Sequence, residues 1–239
     1  MDSSLQAIWV YLEASPLMAL TLTLGAYQAG LWLYARSGFN PMVNPVLIAV
    51  AAIAGWLTLT DTAYSTYFQG AQFVHFLLGP ATVALAIPLY RQIQAVKQSW
   101  LAIGVALLAG SATAAISSVG IAWLLGASEQ TLLSLAPKSV TTPVAMGIAE
   151  QLGGLPTLTA VVVILTGITG AMCASSLLRL FRITDESASG LAIGVASHGI
   201  GTARAFQMSE VTGAFAGLAM GLNALATAVL IPLLFRLFF

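Results

Sequence analysis

Residues 138–143 read Lys-Ser-Val-Thr-Thr-Pro and residues 197–204 read Ser-His-Gly-Ile-Gly-Thr-Ala-Arg, both inside long apolar stretches. Each sets a cation beside hydroxyl groups where hydrocarbon-facing side chains are expected. A charge at membrane depth is costly and persists where it lines a cavity or meets a partner. Pro137, Pro143, Gly199 and Gly201 bracket these groups and are poor helix-interior residues. Cations, hydroxyls and backbone N–H groups freed at a helix break are the chemistry that binds a small anion.

Lys138 is the candidate anion anchor, with Ser139, Thr141 and Thr142 as hydrogen-bonding neighbours. The plainer reading has the lysine snorkel to an interface while the hydroxyls satisfy backbone groups at the break. In the second stretch Gly199 and Gly201 let the chain unwind and expose N–H groups at a half-helix start. Ser197 and Thr202 add hydroxyls, and Arg204 offers a planar fork suited to a carboxylate. The plainer reading of Arg204 is an ion pair with Glu150 or Glu210. His198 and Glu150 are the proton-coupling candidates; otherwise His198 is a packed, hydrogen-bonded ring and Glu150 pairs with a base or reaches water. Asn223 reads as an interhelical hydrogen bond, and the four-residue spacings Gly213/Gly217/Gly221 and Gly190/Gly194 as close helix packing. Thr82 is a weaker lining residue, and Asn44-Pro45 reads as a helix entry.

The elements that hold these residues are membrane-length. The chain has 239 residues, 59% hydrophobic and 7% charged, against about 25% charged in a soluble domain. Apolar segments of about 20 residues fall at roughly 16–35, 43–60, 73–90, 99–125, 131–152, 155–179, 188–208 and 213–236. The expected fold is a single all-α polytopic membrane domain of seven or eight transmembrane segments. The prolines and glycines of 131–152 suit a re-entrant hairpin. With that segment re-entrant, the basic loops gather on the cytoplasmic side. Spans two to four and five to seven would then form an inverted repeat with broken helices. A full eighth crossing is the alternative.

Formal net charge is zero, which argues against nucleic-acid binding. One cysteine, Cys173, and two distant histidines, His75 and His198, give no metal site of usual spacing. There is no nucleophile–base pair and no phosphate-binding glycine loop, so neither an enzyme nor a cofactor is expected. The N-terminus lacks a basic n-region, so no cleaved signal peptide is expected.

The stretches Asn44-Pro-Val-Leu47, Gly79-Pro-Ala-Thr-Val-Ala-Leu-Ala-Ile-Pro-Leu-Tyr90, Pro137-Lys-Ser-Val-Thr-Thr-Pro143 and Ala196-Ser-His-Gly-Ile-Gly-Thr-Ala-Arg204 resemble the LrgB/CidB family over nearly the whole chain. The resemblance implies a multi-pass protein of the bacterial inner membrane and two competing roles. One is transport of small monocarboxylates of the glycolate, glycerate, pyruvate or lactate class, as in plant plastid glycolate/glycerate relatives. The other is antiholin-like control of murein hydrolase activity and lysis with a small LrgA/CidA-type membrane partner. The expected partners are the lipid bilayer, a small carboxylate, that membrane partner, and a second copy in a homodimer. Transport is the main expectation, because lysis control gives Lys138 and Arg204 no reason to sit at membrane depth.

Overall fold

The computed structural model describes residues 16–77, 80, 83–84 and 86–238. All regular elements among them are helices, and they divide into two compact units, residues 1–84 and 85–239. In the first unit α1 (Pro16–Arg36) packs against α2 (Pro45–Leu59) and α3 (Tyr64–Phe76). Its core is Ala19, Tyr67 and Ala71, flanked by Leu22, Ile53 and Leu57. Asn44 caps α2: its Oδ1 accepts the Val46 and Leu47 N–H groups at 2.9 and 3.1 Å. Pro45 takes the first turn, where its missing N–H costs nothing. Thr82 lies outside the described residues, as do 78, 79, 81 and 85 of the expected 73–90 span.

The second unit opens with two short helices, α4 (Ala86–Arg91) and α5 (Ile93–Gln98). It continues with α6 (Trp100–Leu124), α7 (Glu129–Leu135), α8 (Thr142–Leu152), α9 (Pro156–Leu180), α10 (Glu186–Met208) and α11 (Glu210–Phe238). Among the described residues three helices, α6, α9 and the Glu210–Leu233 part of α11, are long and apolar enough to cross a membrane. On α6, Val105, Leu108, Ile116 and Ile121 remain 52–70% exposed. Such a surface is stable against lipid and unstable against water. The chain is thus an all-α membrane protein. α10 has the length to cross but spends it on polar groups, among them Glu186, Ser197, His198 and Arg204.

Side-chain contacts fix the directions of the long helices. Ser111 of α6 hydrogen-bonds Asn223 of α11, and farther along both helices Ala115 and Val119 pack on the cluster holding Ile231. α6 and α11 are therefore parallel. α9 runs against them: Val163 shares a cluster with Ala224, whereas Ala174 and Leu178 share one with Ala216.

The stretches that join these three helices fold back on themselves. The Leu155 N–H donates to Ser134 Oγ at 2.8 Å, and Thr159 Oγ1 donates to the Ser134 carbonyl at 2.9 Å. The chain has therefore returned to its own starting level by residue 155. In between, α7 ends at Leu135, residues 136–141 are non-helical, and α8 comes back over 11 residues, a rise of about 16 Å. Residues 134–155 thus form a helix–turn–helix hairpin closed by Ser134.

Residues 188–208, read from sequence as one span, depart from that expectation. His198 has φ 41° and ψ −133°, which separates half-helices 186–197 and 199–208. A Cβ on Gly201 would lie 3.0 Å from Cγ2 and 3.1 Å from the carbonyl oxygen of Ile193. Eight residues apart in a straight helix, these positions would be about 12 Å distant, so the chain reverses at His198. The contacts with α11 agree. Gly190 and Gly194 of the outgoing limb meet Phe215, Ala216 and Ala219, and Phe206 of the returning limb covers Gly213. Small residues allow this close backbone approach, which is the packing role their spacing implies.

Candidate functional site

The two hairpins reach one point from opposite ends. The base of the first lies by the late part of α11, where Ile148 and Leu152 of α8 cluster with Ile231. The base of the second lies by its beginning, where Gly190 meets Thr212 and Phe215. Between them stands Asn223, fully buried. Its Nδ2 donates to the Ser139 carbonyl at 3.3 Å and to the Val195 carbonyl at 3.2 Å. Its Oδ1 accepts the Ser111 hydroxyl and, at 3.4 Å, the Thr227 hydroxyl. An amide side chain offers two donors and one two-lone-pair acceptor, and all are used. The Val195 carbonyl is available because the break at His198 removes its helical N–H partner four residues on.

Around that point the sequence-named residues take distinct places. The His198 ring lies on α9, with Nε2 3.0 Å from the Val163 carbonyl. A carbonyl only accepts, so Nε2 carries the hydrogen in this arrangement. Gly167 makes room for it: a Cβ there would be 2.6 Å from His198 Cε1. Ser197 is buried and faces Gly170 in the same way. The Thr202 hydroxyl donates to the His198 carbonyl at 2.8 Å, bracing the second tip. Gly201 is buried against Ser197 and Ile193, and Gly199 is exposed.

At the first tip Lys138 is half-buried between the buried residues Pro137, Ser139 and Val140. Thr141 has the extended backbone of an N-cap, and Thr142 and Pro143 open α8. Two helices therefore begin at the tips, α8 at Thr142 and the returning limb at residue 199. Each start presents unsatisfied N–H groups and the positive end of a helix dipole. With Lys138 they make the tip region electropositive.

Two candidates stand apart from the tips. Six residues, about 9 Å of helix rise, carry Arg204 along the returning limb from His198. There it donates to Ser175 Oγ at 3.3 Å and Gln207 Oε1 at 3.1 Å. Glu210, named as a partner for it, pairs instead with Arg91 at 2.8 Å on the exposed surface. Glu150 is exposed near the C-terminal end of α8, in keeping with the reading that it reaches water. Among the described residues no three His, Cys, Asp or Glu side chains group as a metal site.

Sequence reasoning missed Ser111, Gly167, Gly170 and the Ser134–Thr159 clasp. The only signal at Gly167 and Gly170 is their three-residue spacing inside an apolar run, which also fits ordinary packing. It was tertiary structure that set them beneath the second tip.

A model of the LrgB-like family matches residues 23–237. The chain is 38% identical over 218 residues to the uncharacterized protein YwbG of Bacillus subtilis, covering 91% of this chain and 96% of that one. It is 33% identical over 229 residues to the holin-like protein CidB of Staphylococcus epidermidis, covering 96% and 99%. It is 31% identical over 219 residues to the antiholin-like protein LrgB of Bacillus cereus, covering 92% and 95%. No solved structure matches the chain.

Proposed function

The chain belongs to the LrgB-like family, and from that premise we propose that it carries small monocarboxylates across the bacterial inner membrane, with the substrate held between the two hairpin tips. One observation carries this reading: one buried amide holds a carbonyl beside each of two half-helix starts, and half-buried Lys138 is the chain neighbour of the first of those carbonyls. Helix starts facing a carboxylate near the bilayer midplane are a recurring transporter device. Lys138 supplies the charge. Ser139, Thr141, Thr142 and Ser197 supply hydroxyls, and Gly199, Gly201 and Thr202 shape the second tip. Arg204 lies on the way in or out rather than at the tip. His198, through its second ring nitrogen, is the proton-coupling candidate nearer the tips, and exposed Glu150 the more remote one.

Both hairpins are re-entrant in this reading, and α6 with the first hairpin mirrors α9 with the second as an inverted pair. Arg91, Lys97, Arg179 and Arg182 then share one end of the second unit, which the positive-inside rule makes cytoplasmic. Glu129 and Glu150 take the other end. The test is uptake of labelled glycolate and pyruvate into liposomes holding the purified protein, with and without a pH gradient. Saturable uptake that is lost in Lys138→Met, and lowered in Arg204→Gln, supports the carrier. No uptake of either acid by folded protein removes it.

The relatives' names favour a second reading, since they speak of holin-like and antiholin-like proteins and of no solute. There the ligand is a small LrgA/CidA-type membrane protein and the output is lysis. Gly213 is covered by Phe206 and Gly221 has nothing within 4 Å, so only the later part of that glycine face is open to a partner. Co-purification with such a partner, and lysis control that survives Lys138→Met, would favour this reading over transport.

A further inference from the structure

Among the described residues no side-chain hydrogen bond runs directly from one hairpin tip to the other. Their one common bond partner among the described residues is the amide of Asn223, which binds a main-chain carbonyl from each: Ser139 at 3.3 Å and Val195 at 3.2 Å. Both carbonyls are products of helix breaks, one in the 136–141 turn and one just ahead of His198. The amide is oriented from behind by Ser111 and Thr227, which donate to Oδ1. With Oδ1 so engaged, Nδ2 has one orientation, and both its hydrogens point at the tips. Asn223 is also fully buried, so water cannot replace either bond.

We infer that Asn223 is a positioning residue that joins the two tips into one moving part, setting their spacing without touching the solute. The inference deepens the carrier reading and rests on it for its meaning. Without the amide, two buried carbonyls lose their donor and each tip is free to part from α11. An unsatisfied buried group is strongly disfavoured, so the tips open to water while the hairpin bases stay closed. The first base is held separately by Ser134, with Leu155 and Thr159.

The test compares alkylation rates of single cysteines in the membrane, in a background where the exposed Cys173 is replaced by Ser. Probes are Ser139→Cys and Ser197→Cys at the tips and Ser134→Cys at the first base, all at positions buried in the native protein. With Asn223→Leu, both tip probes should react at least about tenfold faster, equivalent to about 1.4 kcal/mol, and Ser134→Cys should be unchanged. Ser111→Ala leaves the Thr227 hydroxyl on Oδ1 to orient the amide, and both carbonyls on Nδ2, so the tip rates should stay within about twofold of native. Unchanged tip rates in Asn223→Leu overturn the inference. So does a rise at Ser134→Cys in step with the tips, or an equal rise in Ser111→Ala, because Asn223 is then ordinary packing. If Asn223→Leu does not fold, Asn223→Asp is read by the same criteria, since it too lacks the amide donors. The labelling needs no substrate, so absence of carboxylate uptake sinks the carrier reading and leaves this result standing.

Discussion

Replacing Gly167 by Ala tests whether the broken helix rests on α9 as described. The new Cβ would stand 2.6 Å from His198 Cε1, 2.9 Å from Nε2 and 2.9 Å from Ile200 Cδ1. All three contacts are too short to keep, so either the ring or the limb moves. Overpacking of this kind costs about 1–3 kcal/mol. Losing the His198–Val163 hydrogen bond adds about 1 kcal/mol. Better helix propensity of alanine offsets about 1 kcal/mol, which leaves a net loss of about 1–3 kcal/mol. For a chain of this length that lowers the unfolding midpoint by about 2–12 °C. The assay is thermal unfolding of the purified protein in detergent, run beside Gly120→Ala on α6, where a Cβ meets nothing within 4 Å. Gly120→Ala should lose no stability. Equal midpoints for the two variants and the native protein would refute the placement of His198 on Gly167.

Ser134→Ala removes the acceptor of the Leu155 N–H and should cost about 1–3 kcal/mol, read as a lower unfolding midpoint and faster proteolysis near residue 153. Cysteines at Gln151 and Glu129 should react with an impermeant maleimide from the same membrane face, and cysteines at Glu186 and Met208 both from the opposite face; a full crossing by either broken segment would split its own pair. Asp185 caps α10, accepting the Ser187 hydroxyl at 2.6 Å and the Ala188 N–H at 2.8 Å. The Ser187 bond first, and then the Ala188 bond, hold its carboxyl below the ordinary aspartate range. Because the folded form is the stronger acid, the stability it contributes is full above the unfolded value of about 3.9 and is lost as pH falls through the lower folded value. The midpoint gap between native protein and Asp185→Ala should therefore be constant near neutrality and close in that acid range, which a pH series of melts would measure.

Composition alone determined that this chain enters a membrane, because 7% charge in 239 residues leaves too little polar surface for water. Local chemistry determined the first of its helix breaks. Pro137 and Pro143 flank the 136–141 turn and Asn44-Pro45 starts a helix by itself, whereas the second break falls on His198, with Gly199 and Gly201 in the returning helix rather than at the break. The polar residues of both tips were legible for the same reason: hydroxyls, His198 and Lys138 are conspicuous against hydrocarbon. Direction was not legible. A broken helix of 23 residues has the length of a span, and nothing in its order says whether the second half continues or returns. That was decided by contacts a straight helix could not make, Gly201 on Ile193 and Phe206 on Gly213, and by Ser175 of α9 with Arg204. The same holds for the site. Arg204 and Lys138 look alike as buried cations, but the reversal at His198 carries one away from the point where the tips meet and leaves the other beside it. Asn223 could be read as one interhelical bond, and only the fold showed that it spans two breaks, because a hydrogen-bond partner on the main chain leaves no mark in the side-chain sequence.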